Sequence, residues 1–328
     1  MTSPRVSVVI VAFNPGPHLQ RALDALAVQT VQDVEIIVWD NASTDGAVDA
    51  VRLPPRARLV RSAENLGFAA GNNRAAALSA APYLALLNPD AFPEPDWLER
   101  LLAAAARTGA AAVASLQLMD EAPDRLDGAG DVLSICGVGW RGGYARPRAR
   151  YALAEAETFG ACGAAVLYRR DAFDRAGGFD PRFFCYFEDV DLSFRLRLLG
   201  ERIVLAPDAI VRHVGSAAAG RGSDFSLYHG ARNRIWTFVR CMPAPLWPIA
   251  APAFAVAQLA LLARDGLRGR AAPVWRGIMD GLKGAGAMLR DRPAKGLSPA
   301  RTREIAAALS WSPLALLDRR PVLRRIRR

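Results

Sequence analysis

A chain of 328 residues, 52% hydrophobic and 23% charged, can bury a sizeable core and is neither a disordered polyelectrolyte nor a multi-span membrane protein. Its formal charge of +10 is unevenly placed: residues 264–328 hold 16 Lys+Arg against 5 Asp+Glu, leaving 26 against 27 in the rest. The basic tail suits an anionic lipid surface or an acidic partner. It has no zinc-finger spacing, aromatic RNA-binding motif or heptad zipper, so nucleic acid is not expected as a partner.

The start, Met1–Arg5, runs directly into a strand-like segment without a charged-then-apolar leader, which argues against secretion. Four widely spaced cysteines (Cys136, Cys162, Cys185, Cys241) fit a reduced, cytoplasmic chain without structural zinc. Val6–Phe13 is a β-branched apolar run closed by Asn14-Pro15-Gly16, the pattern of a strand buried on both faces. His18–Val28 carries Leu19, Ala22, Leu23 and Leu26 at helical spacing. Val34–Trp39 reads as a second strand, stopped by Asp40-Asn41-Ala42-Ser43-Thr44-Asp45-Gly46. Ala57–Arg61 reads as a third, and Ala69–Leu78 as a helix behind the Asn65-Leu66-Gly67-Phe68 turn. Tyr83–Leu87 is a fourth strand ending in Asn88-Pro89-Asp90, and Trp97–Ala106 a further helix. Short buried strands alternating with helices predict a doubly wound, Rossmann-like α/β domain with a mostly parallel sheet. Ligands of such sheets gather at the carboxyl ends of the strands, where Asn14, Asp40 and Asp90 fall.

Leu116–Arg150 is irregular and rich in Gly and Arg, which suggests a long surface loop acting as a lid. Within it, Gly137-Val138-Gly139-Trp140-Arg141-Gly142 spells a dinucleotide fingerprint, but Gly143–Pro147 cannot continue as the helix that fingerprint needs. A second ordered block covers Gly160–Arg169, Phe173–Phe179, Phe183–Leu199 and Arg202–Val214. Cys241–Ala263 then has no charge and four prolines, and the chain from Arg264 on has helical spacing. The expected division is a catalytic domain over residues 1–235 and a basic, apolar helical extension over 236–328. By length the apolar stretch could span a bilayer. Its prolines and alanines favour interfacial attachment, with the arginines meeting anionic lipid on the cytoplasmic face of the membrane. A helical hairpin packed on the catalytic domain is the alternative.

Three places concentrate chemistry. Asp90 follows a buried strand on a proline-stiffened turn, where it either meets a cation or caps the turn; Asp40 has the same two readings. Glu188, Asp189 and Asp191 directly follow the aromatic run Phe183–Phe187. Helix-start capping accounts for one or two of these acids, while aromatic surroundings raise a carboxyl pKa toward that of a general base. Asp189 is the candidate base, Glu188 its rival, and Asp191 is placed to orient Arg195 one turn later. His213 ends an apolar strand-like run and is a candidate metal ligand. Arg232 and Asn233 sit where a diphosphate or acceptor phosphate could be clamped, or on a solvated helix face.

In order along the chain, Val6 to Arg234 resembles the family 2 inverting glycosyltransferases of the GT-A fold, and specifically their bacterial rhamnosyltransferase-like branch. The carriers are Ser7–Asn14, Asp40–Gly46, Asn65–Asn73, Phe187-Glu188-Asp189, His213 and the Gly160–Ala164 loop. The resemblance implies Asp189 as base, and Mg²⁺ or Mn²⁺ on Asp90 and His213. It further implies a nucleotide-sugar site at Phe13, Asn14, Asp40, Asn41, Gly67, Gly71, Asn72 and Asn88, and an acceptor loop at Gly160 and Ala161. It implies a donor such as dTDP-rhamnose or a UDP-hexose, and a glycan or lipid-linked acceptor. Asn88 departs from the family's usual Asp-x-Asp: an amide oxygen can bind a metal but brings no charge. No Gln-x-x-Arg-Trp motif is present, which favours addition of single sugars. A nucleotidyltransferase is disfavoured because Asn14–His18 lacks a phosphate-binding Arg or Lys; a catalytically silent sugar-nucleotide-binding module is favoured only by Asn88.

Overall fold

Val6, Val8, Ile10 and Ala12 of the first strand enter one apolar cluster and Val9 enters another, as the two-residue period of a strand buried on both faces requires. The computed structural model describes residues 4–215, 220 and 222–326. From the N-terminus it runs β1 (Val6–Ala12), α1 (His18–Ala27), β2 (Val34–Asp40), α2 (Ala47–Ala50), β3 (Ala57–Arg61), α3 (Gly67–Ala76), β4 (Tyr83–Leu87), β5 (Ala91–Pro93), α4 (Trp97–Thr108) and β6 (Ala112–Met119). Next come β7 (Ala122–Ala129), β8 (Asp131–Leu133), β9 (Gly139–Arg141), β10 (Ala156–Glu157), β11 (Ala165–Arg169), α5 (Arg170–Arg175), α6 (Glu188–Leu198) and β12 (Ile203–His213). The helices α7 (Asp224–Cys241), α8 (Trp247–Gly266), α9 (Ala271–Arg290), α10 (Pro299–Ala308) and α11 (Pro313–Asp318) complete the chain.

The main sheet has the order β10-β12-β6-β11-β4-β1-β2-β3, with β5 added to β12 and β7 to β6. β3, β2, β1, β4, β6 and β12 run one way, and β11 is inserted antiparallel between β4 and β6. One face is covered by α1, through Leu19, Leu23 and Leu26, and by α4, through Trp97, Leu101 and Leu102. The other takes α3, α5 and α6 through Ala69, Phe173, Leu192 and Leu196.

The 116–150 segment is not the irregular lid expected. It contributes the end of β6, all of β7 and the β8–β9 hairpin. Its strands are short and broken by glycines, so their order comes from pairing with β6 and from one another, which leaves no long apolar run to read. The Gly137–Gly142 segment opens no helix; it leads into β9.

Position 235 falls inside α7. Against α7 lies α9 at close range: a Cβ on Gly281 would stand 2.8 Å from Ile235 Cδ1. The tail returns to the body, exchanging backbone hydrogen bonds between Ser310 and the Leu133–Ile135 segment and between Arg324 and Glu157, and accepting one at the Arg319 carbonyl from the Gly143 N–H.

The Asp191–Arg195 pairing is present at 2.7 Å between two buried side chains, with Arg240 at 3.2 Å from the same carboxylate and 2.6 Å from Asp180. Breaking one partner of a buried ion network strands the others. Asp191→Ala is therefore expected to cost about 3 kcal/mol of unfolding free energy, read as a lower urea midpoint at unchanged slope; an unchanged midpoint would show the network to be idle.

Candidate active site

Three corners of the strand-end rim come together. In the first, β1 and β2 lie parallel with Ala12 opposite Asp40, so the loops after both strands share a rim. Asn14 (φ 46°) accepts from the Thr44 N–H at 2.8 Å, and its own N–H donates to Ser43 Oγ. Asp40 is buried; one carboxylate oxygen accepts from the Ser43 N–H at 2.9 Å and the other stands 3.8 Å from the Arg61 guanidinium. Asn41 spans to the next turn, donating to Asn65 and to the Gly67 carbonyl and accepting from the Leu66 N–H. Gly67 takes φ +78°, and a Cβ there would lie 2.6 Å from the Phe184 carbonyl oxygen, so only glycine lets this turn approach the aromatic loop. Gly71 packs α3 tightly on Val11, Asn72 is buried with its amide on the Phe68 carbonyl, and Phe13 is exposed at the edge.

The second corner joins residues more than a hundred positions apart. β5 pairs with β12 so that Ala91 faces His213, which brings the ring Nε2 to 3.2 Å from Asp90 and 3.5 Å from the Asn88 amide. The other ring nitrogen, Nδ1, meets Asp127 at 2.7 Å, and Asp127 is paired with Arg141. With Nδ1 held by Asp127, Nε2 is turned toward Asp90 and the Asn88 amide nitrogen, the ring orientation that carboxylates impose on metal-binding histidines. Burial pulls the imidazolium pKa down, but the hydrogen bonds with Asp127 and Asp90 outweigh it and hold the ring above 6.5. A carboxylate, an imidazole and an amide oxygen are donors that suit Mg²⁺ or Mn²⁺.

The third corner is the start of α6. Asp189 accepts from the Gly163 N–H at 3.0 Å and the Val190 N–H at 2.8 Å. Burial raises its pKa, against the pull of those N–H groups and of Arg141. Glu188 is buried with one carboxylate oxygen unpartnered, and burial with the nearby Asp189 pushes its pKa well up. Gly160 and Ala161 back this loop: a Cβ on Gly160 would meet Ser193 Oγ at 2.9 Å, and the Ala161 N–H donates to the same hydroxyl. The aromatic run ahead of α6 is backbone-strained, with Phe184, Tyr186 and Phe187 all at positive φ. Asn233, fully buried, fastens it by donating to the carbonyls of Phe183, Cys185 and Tyr186. Arg232 donates to the carbonyls of Arg182 and Phe183 and stacks on Trp236. The Asn233 amide nitrogen and Arg232 Nη2 thus both hold the loop.

Sequence reasoning missed Asp127, Asp131, Arg141 and Cys162. The available signal was the pair of acids in Asp127-Gly-Ala-Gly-Asp131, inside a stretch read as a loop. Asp131, Cys162 and Asp189 bring possible ligand atoms within 4.8 Å of one another.

A mixed sheet with polar residues gathered at its strand ends, under a helical cap, is the GT-A arrangement of glycosyltransferases. Two solved structures share it: the mannosyltransferase PcManGT from Pyrobaculum calidifontis in complex with GDP-Man and Mn²⁺ and GalNAc-T7 with UDP, GalNAc and Mn²⁺. The first has TM-score 0.56 and 22% identity over 96% of this chain and 81% of that one. The second has TM-score 0.59 and 17% identity over 73% and 48%. Residues 7–177 match Glycosyl transferase family 2, and the chain belongs to that family. It is 32% identical over 239 residues to N-acetylglucosaminyl-diphospho-decaprenol L-rhamnosyltransferase of Mycobacterium tuberculosis, covering 65% of this chain and 77% of the relative. It is 30% identical over 228 residues to the O-antigen biosynthesis protein RfbC of Myxococcus xanthus, covering 66% of this chain and 18% of that one. The protein is a glycosyltransferase.

Proposed function

We propose that this glycosyltransferase moves a single sugar, with inversion, from a nucleoside diphosphate donor to a hydroxyl of a glycan or lipid-linked acceptor. The observation that carries this is the convergence of Asp90, His213 and Asn88 at one corner with Asp189 on the start of α6 at another. Rhamnose from dTDP-rhamnose is the first donor to test and UDP-hexoses the second, a choice supported by the rhamnosyltransferase relative. Asp40 and the Asn14 turn hold the nucleoside, with Asn72 and Asn41 shaping the donor side. Asp90 and His213 would hold Mg²⁺ or Mn²⁺, which supplies positive charge against the departing diphosphate. Asp189 takes the proton of the acceptor hydroxyl as its oxygen attacks the anomeric carbon. Incubation with a panel of nucleotide sugars and Mn²⁺ tests the reading: release of nucleoside diphosphate from none of them would overturn it.

Residues 1–235 carry the chemistry on this reading and 236–328 place the enzyme on the inner face of the cell membrane. Among the described residues one helix is long and apolar enough to cross a membrane, Ala244–Gly266, with mean hydropathy 1.8 and 17% of its apolar window buried. Its exposed stripe includes Ile249, Val256 and Leu259, continued by Leu267, with Arg264, Arg268 and Arg270 at the end. Pro252 inside the helix and the flanking arginines favour lying in the interface over spanning. The double variant Val256→Glu, Leu259→Glu should lose co-sedimentation with vesicles containing anionic lipid, while zwitterionic vesicles bind neither protein strongly. Membrane fractions that resist carbonate extraction would indicate a true span instead.

A further inference from the structure

Asp131 is tightly fixed by its backbone and left open at its side chain. Its N–H and carbonyl are bonded to Gly160 at 2.9 and 3.1 Å, and Thr158 Oγ1 donates to the same carbonyl at 3.0 Å. The residue is only 8% exposed, yet its carboxylate accepts no hydrogen bond from any described residue. It is aimed at the base, since one oxygen lies within 4.8 Å of a carboxylate oxygen of Asp189 and of Cys162 Sγ. Two buried carboxyls facing one another are unfavourable while both are ionised, and a ligand hydroxyl set between them offers the donors they lack in that state. Burial first, then the charge of Asp189, pushes Asp131 up to about 8, with Arg141 pulling the other way.

Two ligand chemistries could meet this cluster, a cation or a pair of hydroxyls. A cation is disfavoured by Arg141, whose positive charge acts on Asp131, Asp189 and Cys162 together. It is disfavoured again because burial pushes the Cys162 thiol up and keeps it protonated. Two hydroxyls on adjacent carbons, each making a hydrogen bond of about 2.7 Å, span the gap between the two carboxylates. We propose that Asp131 is an acceptor-binding residue that receives the hydroxyl beside the one Asp189 activates, so that the acceptor is a sugar with hydroxyls on adjacent carbons. This rests on Asp189 as base. In the transfer, the attacking hydroxyl oxygen bonds to the anomeric carbon and its proton goes to Asp189. The bond from that carbon to the diphosphate breaks, with its electron pair leaving on the diphosphate. The hydroxyl on Asp131 keeps its proton and fixes the ring.

The test uses the full chain with Mn²⁺, the donor it turns over, and octyl glycosides of glucose, galactose and N-acetylglucosamine together with their single-deoxy counterparts. Wild-type protein should use a parent glycoside 10–100-fold better, in kcat/KM, than the analogue lacking the neighbouring hydroxyl, a comparison that needs no variant. Asp131→Asn, checked for folding by near-ultraviolet circular dichroism, should lose a similar factor on the parent and treat parent and deoxy analogue alike within about threefold. Equal wild-type use of parent and every deoxy analogue overturns the proposal, as does a variant that still discriminates as the wild type does. Donor hydrolysis without transfer to any glycoside also overturns it. Failure to turn over any donor sinks instead the underlying reading of the reaction. A zinc titration by calorimetry without donor closes the other route: a tight site lost in Asp131→Asn would assign the cluster to a metal and refute hydroxyl binding.

Discussion

Asp189→Asn should lower sugar transfer at saturating donor and metal by about two to four orders of magnitude, the range that positioned general bases contribute. The substitution removes the proton acceptor and keeps one acceptor oxygen, whereas the Gly163 and Val190 N–H groups bond to different oxygens of the carboxylate, so near-ultraviolet circular dichroism checks that the loop is retained. Glu188→Gln is the matched control. Burial and the nearby Asp189 push its carboxyl pKa well up, toward the neutral form that glutamine imitates, so transfer should fall by less than about tenfold. Equal losses in the two variants would move the base to Glu188. The pH profile adds a second check. With Asp189 as the proposed base, transfer needs it ionised, and its pKa is raised, so the acid limb of kcat/KM should lie above the ordinary aspartate value of about 3.9. The same shift has the opposite sign for folding. A carboxyl whose folded pKa exceeds its unfolded one stabilises the fold below the unfolded value and loses that contribution as pH rises through the folded value. Glu188, Asp189 and Asp131 all shift this way, so in the metal-free protein their joint contribution to stability should decline from about pH 4 toward pH 8. A denaturant series that shows this decline flattened in the triple variant Asp131→Asn, Glu188→Gln, Asp189→Asn would confirm its source.

Asp90→Ala is expected to reduce kcat/KM by roughly three orders of magnitude, because several kcal/mol of leaving-group stabilisation depend on a cation and each 1.36 kcal/mol is a factor of ten. Asn88 brings no charge, so Asp90 is the carboxylate of its turn and His213 its partner across the β5–β12 pairing. Asp127→Asn should act more gently, raising the metal concentration for half-maximal activity by about 10–100-fold with little change at saturation. That split separates a residue orienting His213 from one touching the metal. Mn²⁺ binding followed by electron paramagnetic resonance should show the same order, with chelation abolishing both signal and transfer. Full activity in chelator would refute the metal corner.

The sheet was legible because its strands announce themselves: β1, β3 and β4 are β-branched or apolar runs cut off by Asn-Pro, Pro or Ser signals, and α1 carries its apolar stripe where the periodicity places it. Candidate site residues were legible only where a residue type at a strand end or helix start suffices, as for Asp90, Asp189 and His213, which the structure places at such positions. Asp127 and Asp131 were not, because what makes them chemical is pairing made elsewhere. β7 adds to β6 beneath His213, and Asp131 bonds across to Gly160. The contacts of Asn233 were hidden for the same reason: the buried carbonyls it reaches belong to a loop distant in sequence.

That asparagine has a practical consequence. It sits on α7, and α7 is braced by the close-packed glycines of α9, so the backbone that presents Asp189 is held by a helix whose support comes from the tail. Cutting the chain after residue 235 to obtain a more soluble enzyme would leave the loops of Asn14, Asp40 and Asp90 in place and remove the brace behind the loop that leads to Asp189. Such a fragment should still bind donor yet transfer poorly, and grafting this tail onto a related catalytic domain would carry part of the active-site geometry with it.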